Sequence, residues 1–169
     1  MEKAVLGLGS NIGNRILFIR KAIKEISLIK GINIIGKSSL YETEPWGLKE
    51  QRNFVNCVIV CLCKLAPGEL YEKIKKIEKK LGRDRKIHWG PRKIDVDILF
   101  YGKHIIKNKL KIPHPMIKER NFVLVPLNEI IPDFVHPVFK KRVSTLLLKS
   151  PDKSLVKKFV PRLLEEVRA

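Results

Sequence analysis

Hydrophobic and polar positions repeat with strand-like and helix-like periods in the first part of the chain. The apolar run 4–9 predicts a strand, and isoleucines then recur at spacings of four, three, four and three residues from Ile12 to Ile26. This is the period of a helix with one apolar face, so the strand should be followed by a helix that covers the sheet. Ser10 or Asn11 is expected to cap this helix, and Gly31 to close it.

The pattern then predicts two strands, a second helix and a fourth strand. These are a strand over 32–41 interrupted at Gly36, a strand over 54–63, a helix over 67–81 that begins at Pro67 and stops at Gly82, and a strand over 94–101. The resulting order is βαββαβ. It indicates an α+β protein with a ferredoxin-like core.

The last third of the chain has weaker periodicity. Residues 103–112 predict a further strand or hairpin, and 122–130 predict a short helix. At this length we expect one domain over 1–169. Its core should span 4–137, and 138–169 should form a C-terminal extension of short strands and helices whose role the sequence does not indicate.

Composition is that of a globular protein, with 44% hydrophobic and 31% charged residues, and the formal net charge is +18. Such a surface attracts anions, although a lysine-rich surface that serves solubility explains the charge equally well. The longest apolar run, 57–63, is too short to span a membrane, and 4–8 is too short for a signal peptide. We therefore expect a cytoplasmic protein that does not bind membranes.

The three cysteines lie within one predicted strand and lack Cys-x-x-Cys spacing. An odd count with this spacing favours neither a disulfide framework nor a zinc site. Cys57, Cys61 and Cys63 should share one strand face with Ile59. We expect them to be small buried residues rather than metal ligands.

Two carboxylates stand two residues apart in an apolar run, directly after a basic turn. Asp95 and Asp97 would lie on one face of a strand, about 6.6 Å apart at the backbone. Neighbouring carboxylates on a half-buried strand repel each other unless cations neutralise them. Magnesium prefers such hard oxygen ligands and often shares them with substrate phosphates, and Arg92 could grip a phosphate from the turn. The opposite, buried face is expected to hold Ile94, Val96, Ile98 and Phe100.

The alternative is that this Asp-x-Asp pair lies on a solvated strand face beside lysines, because the spacing is common. The turn Trp89-Gly90-Pro91-Arg92 favours a functional site, since it is a costly combination to expose without purpose. Two other nucleotide motifs are absent. The glycines at 7, 9 and 13 do not have the spacing of a dinucleotide-binding fingerprint, and the chain has no P-loop.

Seven short motifs occur together in a characteristic order. They are Gly7-Leu8-Gly9-Ser10-Asn11, Tyr41-Glu42-Thr43, Arg83-x-Arg85, Trp89-Gly90-Pro91-Arg92, Asp95-x-Asp97-Ile98-Leu99, His114-Pro115 and Arg120-x-Phe122-Val123-Leu124-x-Pro126-Leu127. In this order and spacing, the chain resembles the 6-hydroxymethyl-7,8-dihydropterin pyrophosphokinase family of folate biosynthesis. The resemblance runs from about residue 4 to about residue 137.

The resemblance implies transfer of the terminal diphosphate of ATP to the hydroxymethyl group of 6-hydroxymethyl-7,8-dihydropterin, with release of AMP. It also implies two Mg²⁺ ions between Asp95 and Asp97, with ATP as co-substrate. Arg83 and Arg92 would be catalytic cations, and Asp97 is an alternative acceptor for the hydroxyl proton. We expect a monomer that binds these small molecules and no nucleic acid.

By the same resemblance, two sets of residues contact the substrates. The ATP set is Glu78, Arg85, Trp89, Arg92, Ile98, Lys109, Lys111, His114 and Arg120. The pterin set is Thr43, Glu44, Pro45, Trp46, Phe54, Asn56 and Phe122. For some of these residues, a role without ligand contact is also consistent with the sequence. These roles are a solvated surface position for Glu78, structural packing for His114, and ordinary core packing for Phe54 and Phe122.

Two rival functions are consistent with parts of the sequence. The βαββαβ order with +18 charge could describe an RNA-binding module, but such modules expose aromatic residues on their first and third strands. The run 4–9 has none, and 54–63 has only Phe54. A different Asp-x-Asp metal enzyme, such as a nucleotidyl or glycosyl transferase, is the second rival. Pterin-dependent formation of AMP separates both from the family reaction.

Overall fold

A computed structural model describes residues 1–45, 50–82 and 90–160. Its strands are β1 (Glu2–Ser10), β2 (Ile32–Lys37), β3 (Tyr41–Thr43), β4 (Phe54–Cys63), β5 (Asp95–Tyr101), β6 (Ile106–Lys107), β7 (Lys111–Ile112) and β8 (Val156–Lys158). Its helices are α1 (Arg15–Ser27), α2 (Pro67–Lys80), α3 (Asn121–Ile130) and α4 (Val143–Leu148), with a 3₁₀ turn at Ile117–Glu119.

The main sheet is antiparallel, with strand order β5-β1-β4-β3-β8. β2 also pairs with β4, along a different stretch of that strand from β3, so the two short strands replace the single interrupted strand predicted over 32–41. The four strands of the core are therefore arranged as in a ferredoxin-like βαββαβ fold. The α+β prediction is confirmed, and β6 and β7 form the predicted hairpin.

Helices cover both faces of this sheet. On one face, α1 and α2 pack through residues such as Ile19, Ile26 and Ile74 against β1, β4 and β5. On the other face, α3 and α4 pack through Leu124 and Leu146. The three cysteines are buried and free on the α1–α2 face, as predicted.

The predicted cap and end of the first helix are wrong. α1 begins at Arg15, and its N-cap is Asn14, whose side chain accepts a 3.0 Å hydrogen bond from the amide of Leu17. Asn11 cannot serve this purpose because its backbone and side chain bind residue 92. The helix ends at Ser27, and Gly31 instead adopts φ +92° in the turn that leads into β2.

One predicted strand face is also wrong at its end. Ile94, Val96 and Ile98 lie on the α1–α2 face as expected, but Phe100 packs on the opposite face. The register between β1 and β5 shifts, so that Leu6 is opposite Ile98 while the neighbouring Val5 is opposite Phe100. The extra residue is a β-bulge, which reverses the alternation of side chains beyond it.

The C-terminal extension contributes to the main sheet. β8 pairs with β3, with Val156 opposite Thr43. The sequence predicts short strands and helices in this extension but does not predict where they begin or end. Among the described ranges, no helix combines the length and the hydropathy needed to cross a bilayer.

Candidate active site

A pocket opens on the α3 side of the sheet, where β1, β4 and β5 run side by side. Its floor is formed by the strands, and its rim by the end of β3, the turn before β5 and the start of α3. Residues from the predicted site that line it are Thr43, Glu44, Phe54, Asn56, Arg92, Asp95, Asp97, Arg120 and Phe122. The fold thus gathers residues from positions 43 to 122 in one cleft.

Two glycines of β1 form part of the floor. A Cβ at Gly9 would lie 2.6 Å from Oδ1 of Asn56, and a Cβ at Gly7 would lie 3.3 Å from Cδ1 of Leu99. Neither glycine was among the predicted site residues. The signal was present, however, because glycine at both positions of one strand face leaves room above the sheet for a flat ligand.

The two acids lie on adjacent floor positions of β5. Asp95 is opposite Gly9 and Asp97 is opposite Gly7, and both acids line the pocket. Burial and then the neighbouring charge of Asp95 raise the pKa of Asp97 to about 6. The pair therefore holds negative charge that the surrounding protein only partly neutralises.

Arg92 is held beside the acids by its own turn. Its guanidinium donates to Oδ2 of Asp95, and its Nε donates to the carbonyl of Gly90 at 3.2 Å. Asn11 fixes its backbone, accepting from the amide of Arg92 at 2.8 Å and donating its own amide to the Arg92 carbonyl at 3.1 Å. Asn11, which directly follows β1, thus anchors the turn before β5.

The opposite side of the pocket combines aromatic and polar side chains. Asn56 is buried, and its Nδ2 donates to Oγ1 of Thr43 at 2.7 Å. At the start of α3, the Arg120 guanidinium lies over the Phe122 ring, 5.6 Å from its centroid. Burial lowers the pKa of Arg120, although the carboxylates of Asp97 and Asp95 act in the opposite sense. This side can stack a flat ring and bind its polar edge.

Glu78 is buried, so the alternative of a solvated surface is wrong. Its side chain is 1% exposed and lies between α2 and β5. Oε1 accepts a 2.7 Å hydrogen bond from the amide of Val96, the residue between the two acids. Oε2 accepts from Nζ of Lys75 at 2.9 Å, and the same ammonium group reaches the Val96 carbonyl at 3.4 Å. Glu78 and Lys75 therefore hold the outer backbone of β5 at the acid pair.

We expect Glu78→Ala to destabilise the protein by about 3 kcal/mol, because it leaves a buried amide and a partly buried ammonium group without their carboxylate. Glu78→Gln keeps an oxygen for Val96 and should cost less. Urea unfolding measures both changes. The control is Glu25→Ala, which removes a surface pair with Lys80 and should cost less than about 1 kcal/mol. Equal losses for Glu78→Ala and Glu25→Ala would contradict this role for Glu78.

Other predicted residues lie near the pocket without lining it. His114 is half-buried, with its amide bound to the Leu99 carbonyl at 3.0 Å. Burial, followed by the charge of Arg120, lowers the pKa of His114 to about 4. Pro45 is buried just beyond β3. His114 is therefore neutral at physiological pH and lies close to the Arg120 guanidinium.

Three further predicted ATP contacts lie elsewhere. Lys109 and Lys111 are exposed on the β6–β7 hairpin. Ile98 packs its side chain into the α1–α2 core, on the reverse side of β5 from the pocket. Arg83, Arg85, Trp89 and Trp46 fall outside the described residues.

Residues 5–132 match the model of the family described as 7,8-dihydro-6-hydroxymethylpterin-pyrophosphokinase. Over 142 residues the chain is 46% identical to 2-amino-4-hydroxy-6-hydroxymethyldihydropteridine pyrophosphokinase of Aquifex aeolicus, covering 83% of this chain and 88% of that protein. The protein of the same name from Methylorubrum extorquens is 43% identical over 136 residues, which cover 80% of this chain and 86% of the relative.

Solved structures agree with the fold. Plasmodium falciparum HPPK-DHPS, crystallised as the wild type with pteroate, superimposes with a TM-score of 0.71 and 18% sequence identity. The superposition covers 88% of this chain but 42% of that longer chain. At this identity the likeness supports the architecture alone.

Proposed function

Because the chain belongs to the 7,8-dihydro-6-hydroxymethylpterin-pyrophosphokinase family, we propose that the pocket between β4, β5 and α3 is its active site. The enzyme transfers the terminal diphosphate of ATP to the hydroxymethyl group of 6-hydroxymethyl-7,8-dihydropterin in folate biosynthesis. The hydroxyl oxygen attacks the β-phosphorus. The bond between the β-phosphorus and the oxygen that it shares with the α-phosphorus then breaks, and AMP leaves with that oxygen. The observation that carries the assignment is the acid pair on β5, flanked by Arg92 and Arg120 in a cleft with two phenylalanines.

The acid pair fits Mg²⁺. Asp95 and Asp97 offer hard oxygen ligands on one face of β5. Burial, followed by the charge of Asp95, raises the pKa of Asp97, and a cation between the two carboxylates would offset both effects. In the described part of the chain, no group of three or more His, Cys, Asp or Glu side chains could hold a metal. Two carboxylates suit magnesium, because it completes its coordination with water and substrate phosphates. Asp95 and Asp97 would hold the two expected ions, which would supply positive charge for the phosphates and lower the pKa of the attacking hydroxyl.

The arginines supply fixed positive charge around the phosphates. Arg92 already neutralises Asp95, and its planar guanidinium can bind phosphate oxygens bidentately. Arg120 lies within the electrostatic reach of both acids. Since phosphoryl transfer depends mainly on positioning and electrostatics, these cations would stabilise the charge that develops on the moving diphosphate. We propose the same role for Arg83.

The pterin would lie over the glycine floor, between Phe54 and Phe122. Its pyrimidinone edge can hydrogen-bond to Asn56, whose orientation Thr43 fixes. Backbone groups of 43–46 would complete the edge contacts. Gly9 keeps this amide in place, because any side chain at that position would collide with Asn56.

The proton of the attacking hydroxyl needs an acceptor. Asp97 faces the pocket, and its carboxylate is a candidate acceptor for this proton. We propose that Asp97 can serve this purpose in addition to binding metal.

Further nucleotide contacts are proposed for Arg85, Trp89, Lys109, Lys111 and His114. Ile98 would contribute through its backbone, because its side chain packs in the α1–α2 core. A neutral His114 would offer a hydrogen bond rather than a charge. Glu78 differs from this group, since its carboxylate is occupied by Val96 and Lys75. We propose that Glu78 holds the strand of the metal ligands.

The direct test combines the purified chain with ATP, 6-hydroxymethyl-7,8-dihydropterin and Mg²⁺, and separates AMP from ADP by chromatography. We expect AMP to form only when pterin is present, and EDTA to stop the reaction until excess Mg²⁺ restores it. ADP as product would contradict diphosphate transfer. Undiminished activity in EDTA would contradict the metal proposal while leaving the transfer itself intact.

We also propose that residues 1–169 act as one domain, as a monomer located in the cytoplasm. An RNA-binding module is disfavoured because the open floor of β1 carries glycines where such modules carry stacking aromatics. A filter-binding titration with single-stranded RNA at two salt concentrations tests this alternative. We expect only weak binding that salt abolishes.

A further inference from the structure

The C-terminal extension contacts the pocket wall through Asp152. This residue lies between α4 and β8, beyond residues 5–132, which match the family model. Its Oδ2 accepts a 2.7 Å hydrogen bond from the backbone amide of Asn121, the first residue of α3. Its backbone carbonyl accepts a second bond, of 2.8 Å, from Nδ2 of Asn121. One residue of the extension therefore fixes the first residue of the helix at two points.

α3 has no cap of its own. Its N-cap residue is Arg120, which makes no side-chain capping bond. The carboxylate of Asp152 takes over this role from 31 residues away, satisfying an amide of the first turn. A negative charge at a helix N-terminus also interacts favourably with the helix dipole. Burial opposes ionisation of Asp152, but hydrogen bonds from Ser154 and then Asn121 outweigh it and lower the pKa of this carboxyl.

The carboxylate is itself held in place. Its Oδ1 accepts from the amide and the hydroxyl of Ser154, at 2.8 and 2.6 Å. With Oδ1 occupied locally, Oδ2 is directed at α3. Both carboxylate oxygens are therefore engaged, one within the extension and one at the start of α3.

Asn121 lies between two residues of the pocket. Arg120 precedes it and Phe122 follows it, and both line the cleft. A shift of the Asn121 backbone would therefore move a cation proposed for ATP and a ring proposed for pterin. Positional errors of about 1 Å in such residues are known to slow catalysis strongly.

The extension also supports the facing wall. β8 extends the sheet beside β3, with Val156 opposite Thr43, which lines the pocket. The amide of Phe159 donates to the Leu40 carbonyl at 2.7 Å, just before β3. The segment 152–159 thus reaches both sides of the pterin pocket.

We propose that Asp152 is a positioning residue that sets the start of α3, so that Arg120 and Phe122 are correctly placed for ATP and pterin. The inference rests on the proposed roles of those two residues. It gives the extension a function in both substrate sites, although Asp152 itself contacts neither substrate.

The test measures kcat and both KM values for Asp152→Ala, with Asp152→Asn as the conservative variant. Alanine removes the acceptor for the Asn121 amide, and we expect KM for ATP and for pterin each to rise about tenfold. Asparagine retains one acceptor oxygen but loses the negative charge at the helix start, so we expect a smaller rise in both KM values, of about threefold. The matched control is Asp133→Ala, which removes an exposed carboxylate paired with Arg142 and should leave both KM values unchanged. Thermal melting establishes that each variant is folded at the assay temperature.

Arg120→Ala and Phe122→Ala separate failure of this inference from failure of the site assignment. Calorimetric titration with α,β-methylene-ATP and Mg²⁺ should show weaker binding for Arg120→Ala, and titration with 6-hydroxymethyl-7,8-dihydropterin should show weaker binding for Phe122→Ala. If neither variant weakens its ligand, the proposed site is wrong. If both do, while Asp152→Ala binds both ligands normally, the positioning role alone is overturned. Should Asp152→Ala be unfolded, Asp152→Asn decides: a rise in both KM values beyond that of Asp133→Ala supports the role, and unchanged values overturn it.

Discussion

Replacing Asp97 with asparagine is expected to reduce kcat by about a thousandfold or more, because the variant would lose the proposed metal ligand and the proposed proton acceptor together. Asp95→Asn should also abolish turnover through the metal site, although it keeps Asp97. The measurement is pterin-dependent AMP release at saturating substrates. Asp133→Asn, an exposed acid of 81% side-chain accessibility, is the matched control and should remain active. Near-normal activity in either β5 variant would refute the metal assignment.

Asp97→Asn should also stabilise the metal-free protein at high pH. The folded-state pKa of Asp97, about 6, lies above the usual value of 3.8, so the folded protein binds this proton more tightly than the unfolded chain. That contribution favours folding below pH 4 and is lost as the pH rises through about 6. Asparagine carries no charge at any pH. In EDTA, the melting temperature of Asp97→Asn should therefore exceed that of the parent at pH 8 and match it at pH 4.

Magnesium provides the corresponding control. It should raise the melting temperature of the parent protein at pH 8 and have little effect on Asp97→Asn. A variant that is inactive, stable and insensitive to Mg²⁺ would separate loss of the site from misfolding. A variant that is less stable than the parent in EDTA at pH 8 would contradict the proposed charge repulsion between the two acids.

Arg92→Ala is expected to lower kcat by about a hundredfold, with a smaller change in KM, because the role proposed for Arg92 is to stabilise charge that develops during transfer. Arg92→Lys should recover little of the loss, since a lysine cannot reproduce the bidentate geometry of guanidinium. Steady-state kinetics for both substrates measures the split. The matched control is Arg142→Ala, which removes an arginine from a surface pair with Asp133 and should leave kcat unchanged. A tenfold or larger rise in KM for ATP at constant kcat would instead assign Arg92 to ground-state binding.

The core architecture follows from periodicity because its elements are long and amphipathic. β4 has its predicted bounds, and α2 ends one residue before its predicted end. Both elements have a clear period and a strong start or stop signal. The departures arise where a tertiary contact competes with a local signal. Asn11 resembles a helix cap, yet the turn before β5 needs both its amide and its side chain, so Asn14 caps α1 instead.

The candidate site was partly readable for a similar reason. The spacing of Asp95 and Asp97 fixes their common face as long as the strand alternates, which it does until the bulge before Phe100. The sequence does not predict that Glu78 is buried, because the pattern of α2 does not show that the Val96 amide of β5 faces this helix. The contact of Asp152 with Asn121 spans 31 residues and leaves no periodic trace in the sequence.

The carboxylate of Glu78 has a second consequence, for self-association. β5 is an edge strand of the main sheet, and exposed strand edges are templates for aggregation. At Val96 the outward-facing amide and carbonyl are already taken by Glu78 and Lys75, so no foreign strand can pair there without first displacing them. Replacing Glu78 would therefore free backbone groups of β5 for pairing with another chain beside the acid pair, and we expect such variants to accumulate as insoluble protein.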